Sequence, residues 1–344
     1  ETLHIFDLSE VLFWDIAALL WLAVGLHYYR QTAGVRFLIK LPHATAPIDS
    51  KSADICRSAD YLRRWRFDRA LANIDRQVDK LLVKSQQGYF RTKRPFRYYR
   101  EAIIRDNTGL LQSLLSRNLV DIRNLTTPTG PSHRVVTPER IAECVTQYQA
   151  ARIGDILYTQ CGIDKRIGDR FADRLLTEAI MNVHEHPNAS IGMVAISVNG
   201  SAKELVIGVV DNGLSIPQTI FPRFHADMIA TKGPCPDLPN EYDRDIIPMN
   251  RRAEIIDYAT KPGVTRKTGI ESEDENAGMG LAYIHTDTIE SFGGRLRFVS
   301  DSVYVDYSGM TKDKMACADW SHPWSGNLLR IAIPIHTRMK DSHL

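Results

Sequence analysis

Between Phe171 and Pro187 the apolar residues Phe171, Leu175, Leu176, Ala179, Ile180 and Val183 recur with the helical period, which predicts a helix with one buried stripe. Beside that stripe Glu178, Asn182 and His186 follow at i, i+4 and i+8, so all three leave from one side of the helix. The period then changes. Leu205 to Asp211 is an apolar, β-favouring run that breaks off in Asp211-Asn212-Gly213, the pattern of a buried strand ending in a turn. Gly278 and Gly280 open a second helical pattern that reaches Phe292 and closes at Gly293-Gly294, and Arg295 to Val299, Val303 to Tyr307 and Gly326 to Pro334 read as strands. Between the glycine-rich turns, residues 218–276 show little apolar periodicity outside Arg251 to Ala259, which predicts a long lid whose acidic, glycine-flanked end, Gly269 to Gly278, acts as its hinge. Residues 308–325, with Trp320, His322 and Trp324, read as an irregular insertion that packs in a core or an interface.

The first half of the chain alternates differently. Leu3 to Leu8 predicts a short strand, and the apolar run from Val11 to Leu26 is too short to span a bilayer and contains Asp15, so it predicts a buried helix. Gly34 to Pro42 is a strand pattern and Ala53 to Lys84 a long helical one with basic residues on its exposed side, an order that implies a parallel sheet covered by helices. Residues 123–138 carry turn and breaker residues. Thr137 and Pro138 then read as a helix start, with the helix continuing to about Tyr158. The chain opens on Glu rather than Met, with no cleavage-site pattern after the apolar run, so it is expected to begin inside a longer or processed polypeptide.

Composition narrows the class. At 344 residues and 44% hydrophobic, the chain suits two domains or one with sizeable additions, and its formal net charge of +2 gives no global attraction to polyanions. Any nucleic-acid surface is therefore local. Its one candidate is Gly88 to Arg100, which interleaves Arg and Lys with Tyr and Phe inside a region, 61–105, holding 13 Lys/Arg against 4 Asp/Glu. A basic connector with solvated charges carries the same pattern. The cysteines Cys56, Cys144, Cys161, Cys235 and Cys317 are scattered and lack metal spacing, so they read as reduced thiols in a cytoplasmic compartment. The pair His184 and His186 has no third ligand at metal spacing and reads as packing.

The chemistry concentrates in the second half. A carboxylate and an amide one turn apart, Glu178 and Asn182, suit a hydrated Mg²⁺ and a water to be activated, because Mg²⁺ takes hard oxygen ligands and keeps several waters. On its own the same helix reads more simply as a surface helix with ordinary polar residues. The order of the elements carries more: a Glu-x3-Asn helix, two strands, an Asp-x-Gly turn, a long variable stretch, a Gly-x-Gly-Leu helix, then strands.

That order resembles the GHKL family of ATP-binding domains over residues 160–344, most closely the branch of the anti-sigma-factor serine kinases. Glu178 and Asn182 match the family's first box, Asp211-Asn212-Gly213-Leu214-Ser215 its Asp-x-Gly-x-Gly box, Gly278-Met279-Gly280-Leu281 its second glycine box, and Gly326 to Pro334 its closing strand. The resemblance implies a mixed sheet covered by helices on one face, and it implies ATP with Mg²⁺ as cofactors. It implies that Asn182 holds Mg²⁺, that Asp211 accepts from the adenine amino group, that Gly278 and Gly280 wrap the phosphates and that Glu178 is the general base where ATP is hydrolysed. His186, Gly213, Met279, Leu281, Asn327 and the lid residues Lys261, Arg266 and Lys267 are the remaining candidates for the nucleotide. Two positions depart from the pattern: Ser215 stands for the second glycine, which matters if that backbone needs positive φ, and Asn327 stands for a threonine.

A second resemblance covers residues 1–85. Phe6 to Ala23 looks like the segment of STAS domains in which a strand ends in Asp-Ser-Ser/Thr-Gly ahead of a helix, here Asp15-Ile16-Ala17-Ala18 with no hydroxyl. The resemblance implies a docking or regulatory module that has lost its phosphoacceptor, with residues 86–159 as connector and helices. The expected activity is a nucleotide-dependent switch with ATP hydrolysis, acting on a protein partner and compatible with a homo-oligomer. A serine/threonine protein kinase, a non-catalytic interaction module and a nucleic-acid effector are the alternatives.

Overall fold

A computed structural model describes residues 3–8, 11, 14–33, 36–40, 58, 62, 82–85, 88–90, 119–124, 150–185, 192–199, 203–233, 238–264, 280–308, 316–319 and 326–335. In chain order they form β1 (Leu3–Asp7), α1 (Ile16–Ala33), β2 (Arg36–Lys40), β3 (Leu82–Ser85), β4 (Gly88–Phe90), β5 (Leu119–Asn124), α2 (Ala150–Cys161), α3 (Lys165–Glu185), β6 (Gly192–Asn199) and β7 (Glu204–Asp211). Then follow α4 (Ile216–Lys232), α5 (Met249–Ala259), α6 (Gly280–Thr286) with a π-helical turn (Asp287–Ser291), β8 (Arg295–Ser300), β9 (Val303–Ser308), β10 (Ala316–Asp319) and β11 (Asn327–Pro334). The chain divides into two compact units, residues 1–124 with 193–197, and residues 125–192 with 198–344. The fold is mixed α/β. Among the described residues no helix is long and apolar enough to cross a membrane.

In the first unit β1, β2 and β3 pair in parallel and β4 closes the sheet antiparallel on β3. Two parallel strands need a crossover, and α1 supplies it between β1 and β2. Asp15, the one acidic residue in the apolar run, caps that helix: its Oδ1 accepts from the Ala17 N–H at 2.9 Å. Past it Ile16, Leu19, Leu20, Ala23 and Val24 are buried, and Trp14 Nε1 donates to Ser58 Oγ at 2.6 Å. The helical pattern read over Ala53 to Lys84 ends in β3, because Leu82, Val83 and Lys84 pair with Leu38, Ile39 and Lys40 of β2. Of the basic, aromatic stretch only Gly88–Phe90 is described, as β4, and residues 91–100 lie outside the described residues. β5, inside a stretch read partly as loop, pairs antiparallel with β6 across an irregularity between Val120 and Arg123.

The second unit is built on a five-stranded antiparallel sheet in the order β10-β9-β8-β11-β7. β7 is buried from Leu205 to Asp211, as its unbroken apolar run requires, and β11 lies between it and β8. The α3 pattern was legible because its apolar stripe is buried: Phe171, Ala172, Leu175 and Leu176 are each almost fully covered, and the Phe171 ring meets Phe292 edge-on at 5.0 Å. Arg174 lies 4.1 Å over the Tyr283 ring. Of the glycine pair after the π-helical turn, Gly293 takes a positive φ of 60° and Gly294 serves close approach: a Cβ there would lie 2.5 Å from the Ala332 carbonyl oxygen of β11. Residues 316–319, read as part of an irregular insertion, form β10 on the edge of the sheet.

The stretch 218–276 differs from the long lid that its weak periodicity predicts. It carries α4 and α5, which enclose a small core of Phe221, Phe224, Leu238, Ile247 and Ile255. The pattern is weak because α4 has no clean polar face and holds Pro222 inside it, while its burial is supplied by residues far along the chain. Residues 265–279, with Arg266, Lys267, Gly278 and Met279, lie outside the described residues.

Candidate functional site

Asp211 is the last residue of β7, and the sheet register places it beside Asn327 of β11, which in turn stands beside Ser300 of β8. Three polar residues thus form one row across three strands, at the sheet edge from which α4 departs. All are buried, Asp211 at 5% exposed, Asn327 at 8% and Ser300 at 0%, so each needs a partner. Asn327 uses its whole amide. Its Nδ2 donates to Asp211 Oδ1 and Oδ2 at 3.1 and 3.2 Å and to the Leu214 carbonyl at 2.9 Å, while its Oδ1 accepts from Ser300 Oγ at 2.6 Å and from the Ile216 N–H at 3.0 Å. Asp211 Oδ1 also accepts from the Gly213 N–H at 2.8 Å, and Ser300 Oγ from the Ile216 N–H at 2.9 Å.

The environment is unfavourable to a charge. Burial pushes the Asp211 carboxyl up to about 7, and the bonds from Gly213 and Asn327 only partly offset that. A carboxyl so placed titrates near neutrality and holds an acceptor in a water-poor setting. Ser215, where the sequence pattern expected a second glycine, needs no positive φ: its backbone is extended at φ −66° and ψ 153°. It is the N-cap of α4, its Oγ accepting from the Gln218 N–H at 3.2 Å, with Pro217 in the first turn.

A second group joins α3 and α6. Glu178 is half-buried, and its carboxylate lies so close to the Gly280 backbone that a Cβ there would sit 1.8 Å from Cδ. Any side chain at position 280 would displace that carboxylate. The contacts Arg174 with Tyr283 and Phe171 with Phe292 extend the same seam, α3 and α6 with its π-helical turn running antiparallel. Asn182 lies one turn beyond Glu178 on α3, and Leu281 is half-buried on α6. His186, like Arg266, Lys267, Gly278 and Met279, is outside the described residues.

The structure therefore gathers Asp211, Gly213 and Asn327 in one network, with Ser215 at its rim, and Glu178 with Gly280 in another. Lys261 belongs to neither set of contacts: it is exposed, 3.8 Å from Asp257 and 5.9 Å from the centre of the Tyr258 ring. Ser300 is the residue that sequence reasoning missed. Its only signal is strand register, since nothing local distinguishes it from the serines around it. No family model, curated protein or solved structure matches the chain.

Proposed function

We propose that the chain is an ATP-binding switch of the GHKL type, in which nucleotide taken up with Mg²⁺ changes how the protein meets a partner and is slowly hydrolysed. The observation that carries this reading is the buried Asp211 carboxylate at the end of β7, oriented by the Gly213 N–H and by Asn327. An acceptor fixed in a buried, strand-end position recognises an amino group on a flat heterocycle, and its selectivity comes from the cost of leaving the acceptor unpaired. Asn327 orients Asp211 and leaves the carboxylate further lone pairs for such a donor.

The contact of Glu178 with Gly280 supports the second half of the reading. A half-buried carboxylate held against the Gly280 backbone, where no side chain displaces it, is placed to take a proton from a water. Mg²⁺ would supply charge neutralisation at the phosphates, with Asn182 the residue to hold it. The first unit, where Asp15 caps α1 ahead of Ala17 and Ala18, supports a STAS-like docking module with no hydroxyl to phosphorylate.

Isothermal titration with ATP, with and without Mg²⁺, tests the reading, followed by phosphate release from the same sample. Mg²⁺-dependent binding with release is the expected result. Binding without release leaves a nucleotide-gated switch and removes the hydrolytic role of Glu178; no binding overturns the proposal.

A further inference from the structure

Three consecutive residues, 300–302, touch both the Asp211 row and the helical segment that follows it. Ser300 ends β8 opposite Val303, so Asp301 and Ser302 form a two-residue hairpin turn, with φ of 50° and 63°. Left-handed backbone at both positions is the geometry that such turns need, and glycine would meet it more easily than serine. The side chains are used instead. The Asp301 carboxylate accepts from the Tyr242 hydroxyl and from Arg252 Nη1 at 3.4 Å, with Arg244 Nε 3.6 Å away, and its carbonyl oxygen accepts from Arg252 Nη1 at 2.6 Å. Ser302 Oγ accepts from Arg244 Nη2 at 2.7 Å.

Asp301 and Arg252 are both buried, at 5% and 8% exposed, and a buried pair that loses one partner leaves an uncompensated charge. The segment from Tyr242 to Arg252 therefore moves only by breaking that pair or by carrying the turn with it. The turn is covalently continuous with Ser300, which donates to Asn327 and receives the Ile216 N–H at the start of α4. Both ends of the helical segment are thus fastened to one corner, whose first residue orients the amide that orients Asp211.

We propose that this corner couples the seating of the helical segment to the Asp211 row, with Asp301 as the positioning residue. The segment's docking on the turn sets the placement of Ser300, and through Asn327 that of Asp211, so anything that lifts the segment loosens the row. As a statement about nucleotide affinity, this rests on the function proposed above; as a statement about the row itself, it does not.

Amide hydrogen exchange of the full chain without nucleotide tests it, comparing wild type with Asp301→Asn, a change that the left-handed turn tolerates. Exchange over residues 213–219, where the Gly213 and Ile216 N–H groups are held by the row, is expected to accelerate about tenfold, with residues 165–178 of α3 unchanged. Acceleration confined to residues 238–259, with 213–219 at the wild-type rate, overturns the coupling. Tyr242→Phe removes one hydroxyl and keeps every charge, so it decides the matter should the first variant unfold: a smaller acceleration over 213–219 is expected, and none there overturns the proposal. ATP titration of the same samples keeps the two readings apart. Wild type that binds no ATP refutes the nucleotide function whatever the exchange shows, and unmoved exchange over 213–219 refutes the coupling whatever ATP does.

Discussion

Asp211→Asn separates the cost of the buried carboxyl from its use. In the folded chain burial raises Asp211 from an ordinary 3.8 to about 7, so between those values the native state keeps a proton that the unfolded chain has released. Stability is therefore greatest below the ordinary carboxyl range and is lost as pH rises to about 7, with an upper bound of roughly 4 kcal/mol for the whole titration. The substituted amide is isosteric, and its oxygen can keep the bonds from the Gly213 N–H and Asn327 Nδ2 that Asp211 Oδ1 accepts. Urea unfolding at about pH 5 and pH 8 should then show wild type losing stability across that interval by up to about 3 kcal/mol more than the variant does. Isothermal titration at about pH 8 should show the opposite order for function. One charged acceptor is lost and an amide N–H₂ now faces the adenine amino group, which weakens ATP binding by about 10- to 100-fold. A variant that is no less pH-dependent than wild type refutes the account of the buried carboxyl. Unchanged ATP affinity refutes the placement of adenine at Asp211.

Further expectations follow from single contacts. Glu178→Ala should lower phosphate release by about 10²- to 10⁴-fold with ATP binding retained in a titration; equal turnover removes Glu178 as the base. Gly280→Ala places a methyl 1.8 Å from Glu178 Cδ, and the displaced carboxylate should cost about tenfold or more in the same phosphate-release assay with circular dichroism unaltered. Ser215→Ala removes the acceptor for the Gln218 N–H and should cost about 1 kcal/mol in denaturant unfolding, whereas Ser215→Gly should cost only a few tenths of that; equal losses would mean that the cap is not made in solution.

Much of the fold was legible because burial left a periodic trace. The α3 stripe of Phe171, Leu175 and Leu176, the unbroken run of β7 and the alternation from Arg295 to Tyr307 each report their own environment, since a helix buries one stripe and a central strand both faces. The glycine pair Gly293-Gly294 is readable because each position excludes a side chain on its own ground, Gly293 by its positive φ and Gly294 by touching the backbone of β11. What local pattern cannot carry is the partner of a contact. α5 lies where Arg251 to Ala259 keeps its periodicity, but α4 looked like loop because the small core takes Phe221 and Phe224 from it and Ile255 from α5, with Leu238 and Ile247 between. No window of sequence contains that set. β5 and β10 were invisible because an edge strand of four to six residues is defined by the strand beside it.

The candidate site divides along the same line. In the sequence, Glu178, Asp211, Gly213 and Gly280 stand out through the order of the elements that carry them and the family which that order resembles, since taken singly a carboxylate on the polar side of a helix and a glycine at a turn are ordinary. Only the tertiary structure decides what these residues touch. Strand register brings Asn327 to Asp211 across 116 residues of chain, adds Ser300 to the same row from the neighbouring β8 and so ties that row to Asp301. Helix packing lays the Glu178 carboxylate on Gly280. A chain carries its residue chemistry in local order, but adjacency in space is settled by the burial of apolar surface over the whole unit, and the site exists only where the two coincide.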